Sequence, residues 1–138
     1  RVVFGGGGIT PDIFIPLDTS FATDYFFAAR QHLPQFAARW MEAQKTGSLP
    51  KSLNEFVAQF QVSDQMFADF TAYAKKQGVE VDEAQLVLSR AELKNQLKAR
   101  IAKLLFQNEG MYRVLNDDDP AVEKALQVLR SGKPVAKN

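Results

Sequence analysis

The residues with the most chemical potential in this 138-residue chain are its four consecutive glycines, Gly5–Gly8. A phosphate-cradling loop needs glycines between a strand and a helix, followed by Lys-Ser/Thr or spaced as GxGxxG, so that backbone N–H groups converge on the anion. Here the run joins β-prone Arg1–Phe4 to Ile13–Leu17 and no Lys follows, a pattern that fits a crowded tight turn. His32 is the single histidine. It cannot build a multi-His metal site, and no nucleophile motif accompanies it for a Ser-His-Asp arrangement. It stands where one helical pattern ends before Pro34, a place where a cation suits the local dipole. Asp117-Asp118-Asp119 has the ligand type for calcium but lacks the EF-hand spacing and glycine; with Pro120 behind it, it reads as a helix start. Arg90, Lys94 and Lys98 repeat every four residues and could form a phosphate-contact stripe, yet Glu92 lies among them. A solvated helix face explains them at less cost. The sequence thus assigns no catalytic, cofactor-binding or metal-binding residue.

The elements around these residues are mostly helices. From Asp82 to about Asn108, Leu86, Leu93, Leu97, Ile101, Leu104 and Leu105 fall on one face at 3.6-residue periodicity, with Asp82 and Gln85 as a capping box. This long helix is the element against which the others should pack, with Leu93, Leu97, Ile101 and Leu104 buried beneath Trp40, Phe56 and Phe70. Thr19, Ser20 or Thr23 can start an aromatic-rich helix that Pro34 interrupts or restarts and that Gly47 can close. Ser52 with Glu55 opens a short helix, and Ser63 opens another that places Met66, Phe67, Phe70 and Tyr73 together before Gly78. Gly110 should stop the long helix, with Met111–Leu115 as a brief turn. Asp119-Pro120 begins a last helix with Val122, Leu126 and Leu129 inward, ended by Gly132. Arg1–Phe4 and Ile13–Leu17 read as two short strands. The expected fold is therefore mainly α, with a short N-terminal β-hairpin remnant (residues 1–17) and a helical domain (residues 18–138).

Composition sets limits on function. The net charge is +1, with acidic and basic residues shared along the chain, so bulk charge does not call for a polyanionic partner. Cysteine is absent, which removes disulfides and thiolate chemistry. No apolar run approaches the ~20 residues of a membrane span. The chain starts at Arg1-Val2-Val3-Phe4 inside a strand pattern, as expected of a fragment of a longer protein. Eleven phenylalanines are generous for this length, and some are expected to face a partner domain. The two strands, cut from a larger sheet, would present pairing edges, making a homodimer through the N-terminal segment an expectation.

The stretch Val3-Phe4-Gly5-Gly6-Gly7-Gly8-Ile9-Thr10-Pro11-Asp12-Ile13 resembles the region just after the catalytic core of carboxy-terminal processing (tail-specific) serine peptidases. In that family a glycine-rich turn and Gly-Ile-x-Pro-Asp close the protease domain. Val62-Ser63-Asp64 with Tyr73-Ala74, and Tyr112 through Pro120, are similar to the helical C-terminal extension of its Bacteroidetes-type members. The resemblance implies a parent serine endopeptidase whose Ser/Lys dyad and PDZ domain lie upstream, so no catalytic residue carries over to this chain. For the fragment itself it implies a non-catalytic scaffolding, substrate-gating or oligomerisation role in a bacterial periplasm. Its partners would be the catalytic core, the PDZ domain and the peptide substrate. Two other classes stay open: an independent helical protein–protein interaction module, and a nucleic-acid-binding helical domain using Arg90, Lys94 and Lys98.

Overall fold

The computed structural model describes residues 13–45, 47–117 and 119–132, and among them the secondary structure is six helices with no strand. They are α1 (Asp24–Arg30), α2 (Leu33–Glu42), α3 (Leu53–Gln59), α4 (Asp64–Lys76), α5 (Glu83–Asp117) and α6 (Pro120–Ser131). The mainly α expectation holds. Of the two expected strands, Arg1–Phe4 and the Gly5–Gly8 turn lie outside the described residues, and Ile13–Leu17 carries no strand pairing. Pro16 within it supplies no N–H to a ladder.

Residues 18–117 form one compact unit; the described part of a second comprises residues 13–17 and 119–132. In the larger unit α1, α2 and α3 all pack on α5, and α4 packs on α2. The helices start where short polar side chains can accept orphan N–H groups. Thr23 Oγ1 accepts from Phe26 N at 3.1 Å, Ser52 Oγ from Glu55 N at 3.3 Å, and Ser63 Oγ from Met66 N at 3.1 Å. Pro34 sits in the first turn of α2, so it restarts the helix after α1 has ended. Gly78, at φ +94°, terminates α4 in the left-handed conformation. Gly47, at φ +85°, serves a turn several residues beyond α2 instead of capping it.

The core is aliphatic along α5 and aromatic opposite it. Leu93, Leu97 and Ile101 are fully buried, as are Phe26, Phe56 and Phe70, while Trp40 packs on the margin. Phe36 meets Phe70 edge-on at 5.4 Å, and Phe56 stacks on Phe60 at 4.6 Å. Leu104, expected inside, is exposed. The buried row runs Ser89, Leu93, Leu97, Ile101 at steps of four, and Leu104 is off that row; Leu105 is the residue half-buried there.

α5 is not one straight rod. Phe106 (φ −129°, ψ 18°) and Gln107 (φ 60°, ψ −154°) leave helical geometry and divide it into arms of residues 83–105 and 108–117. Gln107 occupies a region that is close to glycine-only, at a cost of about 1–3 kcal/mol. Gly110, expected as a stop, is instead buried inside the second arm. A Cβ there would lie 2.6 Å from the Ala102 carbonyl oxygen and 2.8 Å from Phe106 Cβ, so this is where the arm closes on the first. Val114 is buried as well, and Met111 and Leu115 pack against the core.

In the smaller unit Asp119 caps α6 through bonds from Ala121 N (2.7 Å) and Val122 N (3.3 Å), and Gly132 ends it at φ 62°. Residues 13–16 with Pro120, Glu123, Lys124 and Gln127 line a shallow cleft. Leu126 and Leu129, expected inward, are exposed, and Val122 is half-buried. Among the described residues the unit offers α6 only the short segment 13–17, too little to cover an amphipathic face.

Candidate functional site

The basic stripe is where sequence and structure differ most usefully. Arg90 Nη2 and Lys94 Nζ both bond Asp64 Oδ1, at 2.8 and 2.5 Å, and Lys98 Nζ donates to the Val57 carbonyl at 2.9 Å. The three cations therefore hold the start of α4 and the last turn of α3 against α5. Asp64 is the first residue of α4, where a carboxylate complements the helix dipole; Val57 belongs to the carbonyls that α3 leaves unpaired at its end. Bonds from Lys94 and then Arg90 hold the Asp64 carboxyl below its ordinary value. Arg90 and Lys94 also lie over the buried Phe67 ring, at 5.4 and 5.9 Å from its centroid. The stripe is a clamp, not a free solvated face.

Beside the clamp, α4 and the first turns of α5 enclose an open groove of about 530 Å³. Phe67, Ala72, Val81 and Leu86 give it an apolar floor, while Asp64, Lys75, Glu83 and Arg90 supply charge around it. Close to its lining residues Thr71 and Glu83 is the buried hydroxyl of Tyr25, which makes no hydrogen bond. Thr71 is near, but its Oγ1 donates to Phe67 O at 3.0 Å instead. Burial raises the Tyr25 pKa, and the charge of Glu83 adds to it.

A second polar cluster joins α1 to α5. Ser89, fully buried in the leucine row, donates to Phe21 O at 3.0 Å and shares a 2.7 Å hydrogen bond with Thr23 Oγ1. Gln85 Oε1 accepts from Tyr25 N at 2.8 Å. Only half of the expected capping box is therefore seen. Asp82 Oδ1 accepts from Gln85 N at 3.1 Å, but the Gln85 side chain also reaches out to α1.

The remaining singled-out residues do not converge. His32 follows α1, its N–H bonding Ala29 O at 3.0 Å, and its ring meets Tyr73 edge-on at 6.5 Å. Asp117 pairs with Arg113, and Asp119 caps α6; Asp118 and Gly5–Gly8 lie outside the described residues. Among the described residues no three His, Asp or Glu gather as a metal site. The cross-helix partnerships of Asp64, Gln85 and Tyr25 escaped sequence reasoning because they span 26 to 60 residues. Ser89 left a signal: a hydroxyl in the Leu93–Leu97–Ile101 row must be buried and must therefore find a partner.

A clamp, a groove and a buried polar tie, all centred on α5, define a helical module whose polar side chains hold helices together. The chain belongs to a family of unknown function, DUF8443, whose model matches residues 25–107. That span runs from the Tyr25 tie to the Gln107 break and takes in the clamp and the groove. No curated protein and no solved structure matches the chain.

Proposed function

We propose that this chain is the non-catalytic helical C-terminal domain of a periplasmic carboxy-terminal processing serine peptidase, acting as a scaffold for the core and PDZ domain. The observation that carries this reading is the run Gly8-Ile9-Thr10-Pro11-Asp12 placed directly ahead of the helical module. The module's build supports the scaffolding form of the role. Three helices are tied to α5 by long-range polar contacts, which favours a rigid prop over a gate that must open. Exposed Phe14 and Leu17, next to the motif, suit a segment that is covered by another domain. The test has two arms. The 138-residue chain alone should not degrade casein, and the intact cellular polypeptide carrying it should do so through an upstream Ser/Lys pair. Casein turnover by the isolated chain, or an intact polypeptide without that pair, overturns the proposal.

A second reading, an independent interaction module, draws on one observation. Ala84, Val87, Leu88 and Ala91 recur at helical spacing on the exposed side of α5. Nucleic-acid binding loses its support, because the Asp64 carboxylate and the Val57 carbonyl already engage the stripe.

A further inference from the structure

The break in α5 has no cause in its own sequence. From Asp82 to Glu109 there is neither Pro nor Gly, and Leu105-Phe106-Gln107-Asn108 can all be helical. The bend is imposed by packing: Phe106 meets Phe56 edge-on at 5.7 Å, Gly110 closes on Ala102, and Val114 is buried. Gln107 bears the cost at φ 60°, ψ −154°, a conformation for which glycine would be the ordinary choice. We infer that α5 is an exchange hinge: it can straighten through residues 105–108, and its second arm then docks on the Ala102 surface of a second copy of this chain. The occupant is fixed by the structure, because the surface that a straightened chain exposes already fits residues 108–117 of an identical one. Every docking contact is remade in the exchanged pair, and only the hinge differs. Two strained hinges become helical, each shifting the balance by roughly 5- to 150-fold. Exchange between identical chains closes as a two-fold pair. This route to a homodimer needs neither the N-terminal segment nor the peptidase reading.

The experiment compares the full 138-residue chain with Gln107→Gly and Gly110→Ala. Each is concentrated, warmed toward its unfolding midpoint, cooled, and measured by size exclusion with light scattering. The parent chain should form a dimer that persists on dilution. Gln107→Gly relieves the strain of the bent form and weakens the straight helix, so its dimer fraction should fall at least tenfold while it stays folded by circular dichroism. Gly110→Ala blocks docking within and between chains alike and should also abolish the dimer. A parent chain that stays monomeric, or a dimer population unchanged by Gln107→Gly, overturns the hinge. If Gly110→Ala does not fold, Gln107→Gly decides alone.

Discussion

Ser89→Ala is the sharpest test of the polar tie between α1 and α5. The hydroxyl is fully buried, so water cannot replace it. Its removal leaves the Phe21 carbonyl without its 3.0 Å donor and takes away the 2.7 Å partner of Thr23 Oγ1. A typical hydrogen bond contributes about 1 kcal/mol net, and a buried group left without a partner costs about 1–3 kcal/mol. Phe21 O keeps its 2.8 Å bond from Thr23 N and Thr23 Oγ1 keeps its bond from Phe26 N, so neither acceptor is orphaned and the expected loss is that of the missing hydrogen bonds, about 1–2 kcal/mol. Thr23→Ala removes the cap as well and should cost about 0.5–2 kcal/mol. Because the two side chains share a bond, the double variant should lose less than the sum of the singles, by about 0.5 kcal/mol or more. Urea unfolding measures this directly, as a lower midpoint with an unchanged slope. A Ser89→Ala midpoint within error of the parent, or strictly additive losses, would refute the tie.

Other outcomes follow from burial and charge. Leu97→Ala should cost about 2–5 kcal/mol, whereas Leu104→Ala, at a half-exposed position, should cost well under 1 kcal/mol; equal urea midpoints would put the buried row on the wrong face. Asp64 is held below its ordinary value of 3.8 in the folded chain, so its contribution is complete above that pH and fades as pH falls through the lower folded value. Asp64→Asn should therefore flatten the acid limb of the stability–pH profile below about pH 4, and by less in high salt because the pair is exposed. An unchanged acid limb would mean the clamp does not form in solution.

Local signals were legible in the sequence wherever their cause was local. Ser52, Ser63, Asp119, Pro34, Gly78 and Gly132 mark helix ends through bonds or backbone angles within a few residues of themselves. The leucine row of α5 was legible for the same reason, up to the point where it meets the break. What sequence could not supply is who meets whom. Arg90 and Lys94 are ordinary surface cations until α4 delivers Asp64 to them, and Lys98 until α3 ends beside it. Gly110 looked like a stop because glycine usually is one. Its actual role, letting one arm close on the Ala102 carbonyl, is set by a bend that no nearby residue encodes. Leu126 and Leu129 obey helical spacing yet stay exposed, because periodicity predicts a face and not its cover.

The manner in which α1 begins has a consequence for the order of folding. A seven-residue helix is too short to persist alone in water, and α1 borrows its first bonds from far along the chain. The N–H of Tyr25 depends on Gln85, and the Thr23 hydroxyl that caps Phe26 is held by Ser89. The acceptor of one N–H and the support of the other's acceptor thus lie 60 and 66 residues downstream. α1 can become ordered only after the first arm of α5 exists, and it is the helix that opens first when the two part. Amide exchange should find the Tyr25 and Phe26 protons released together, ahead of those in the middle of α5.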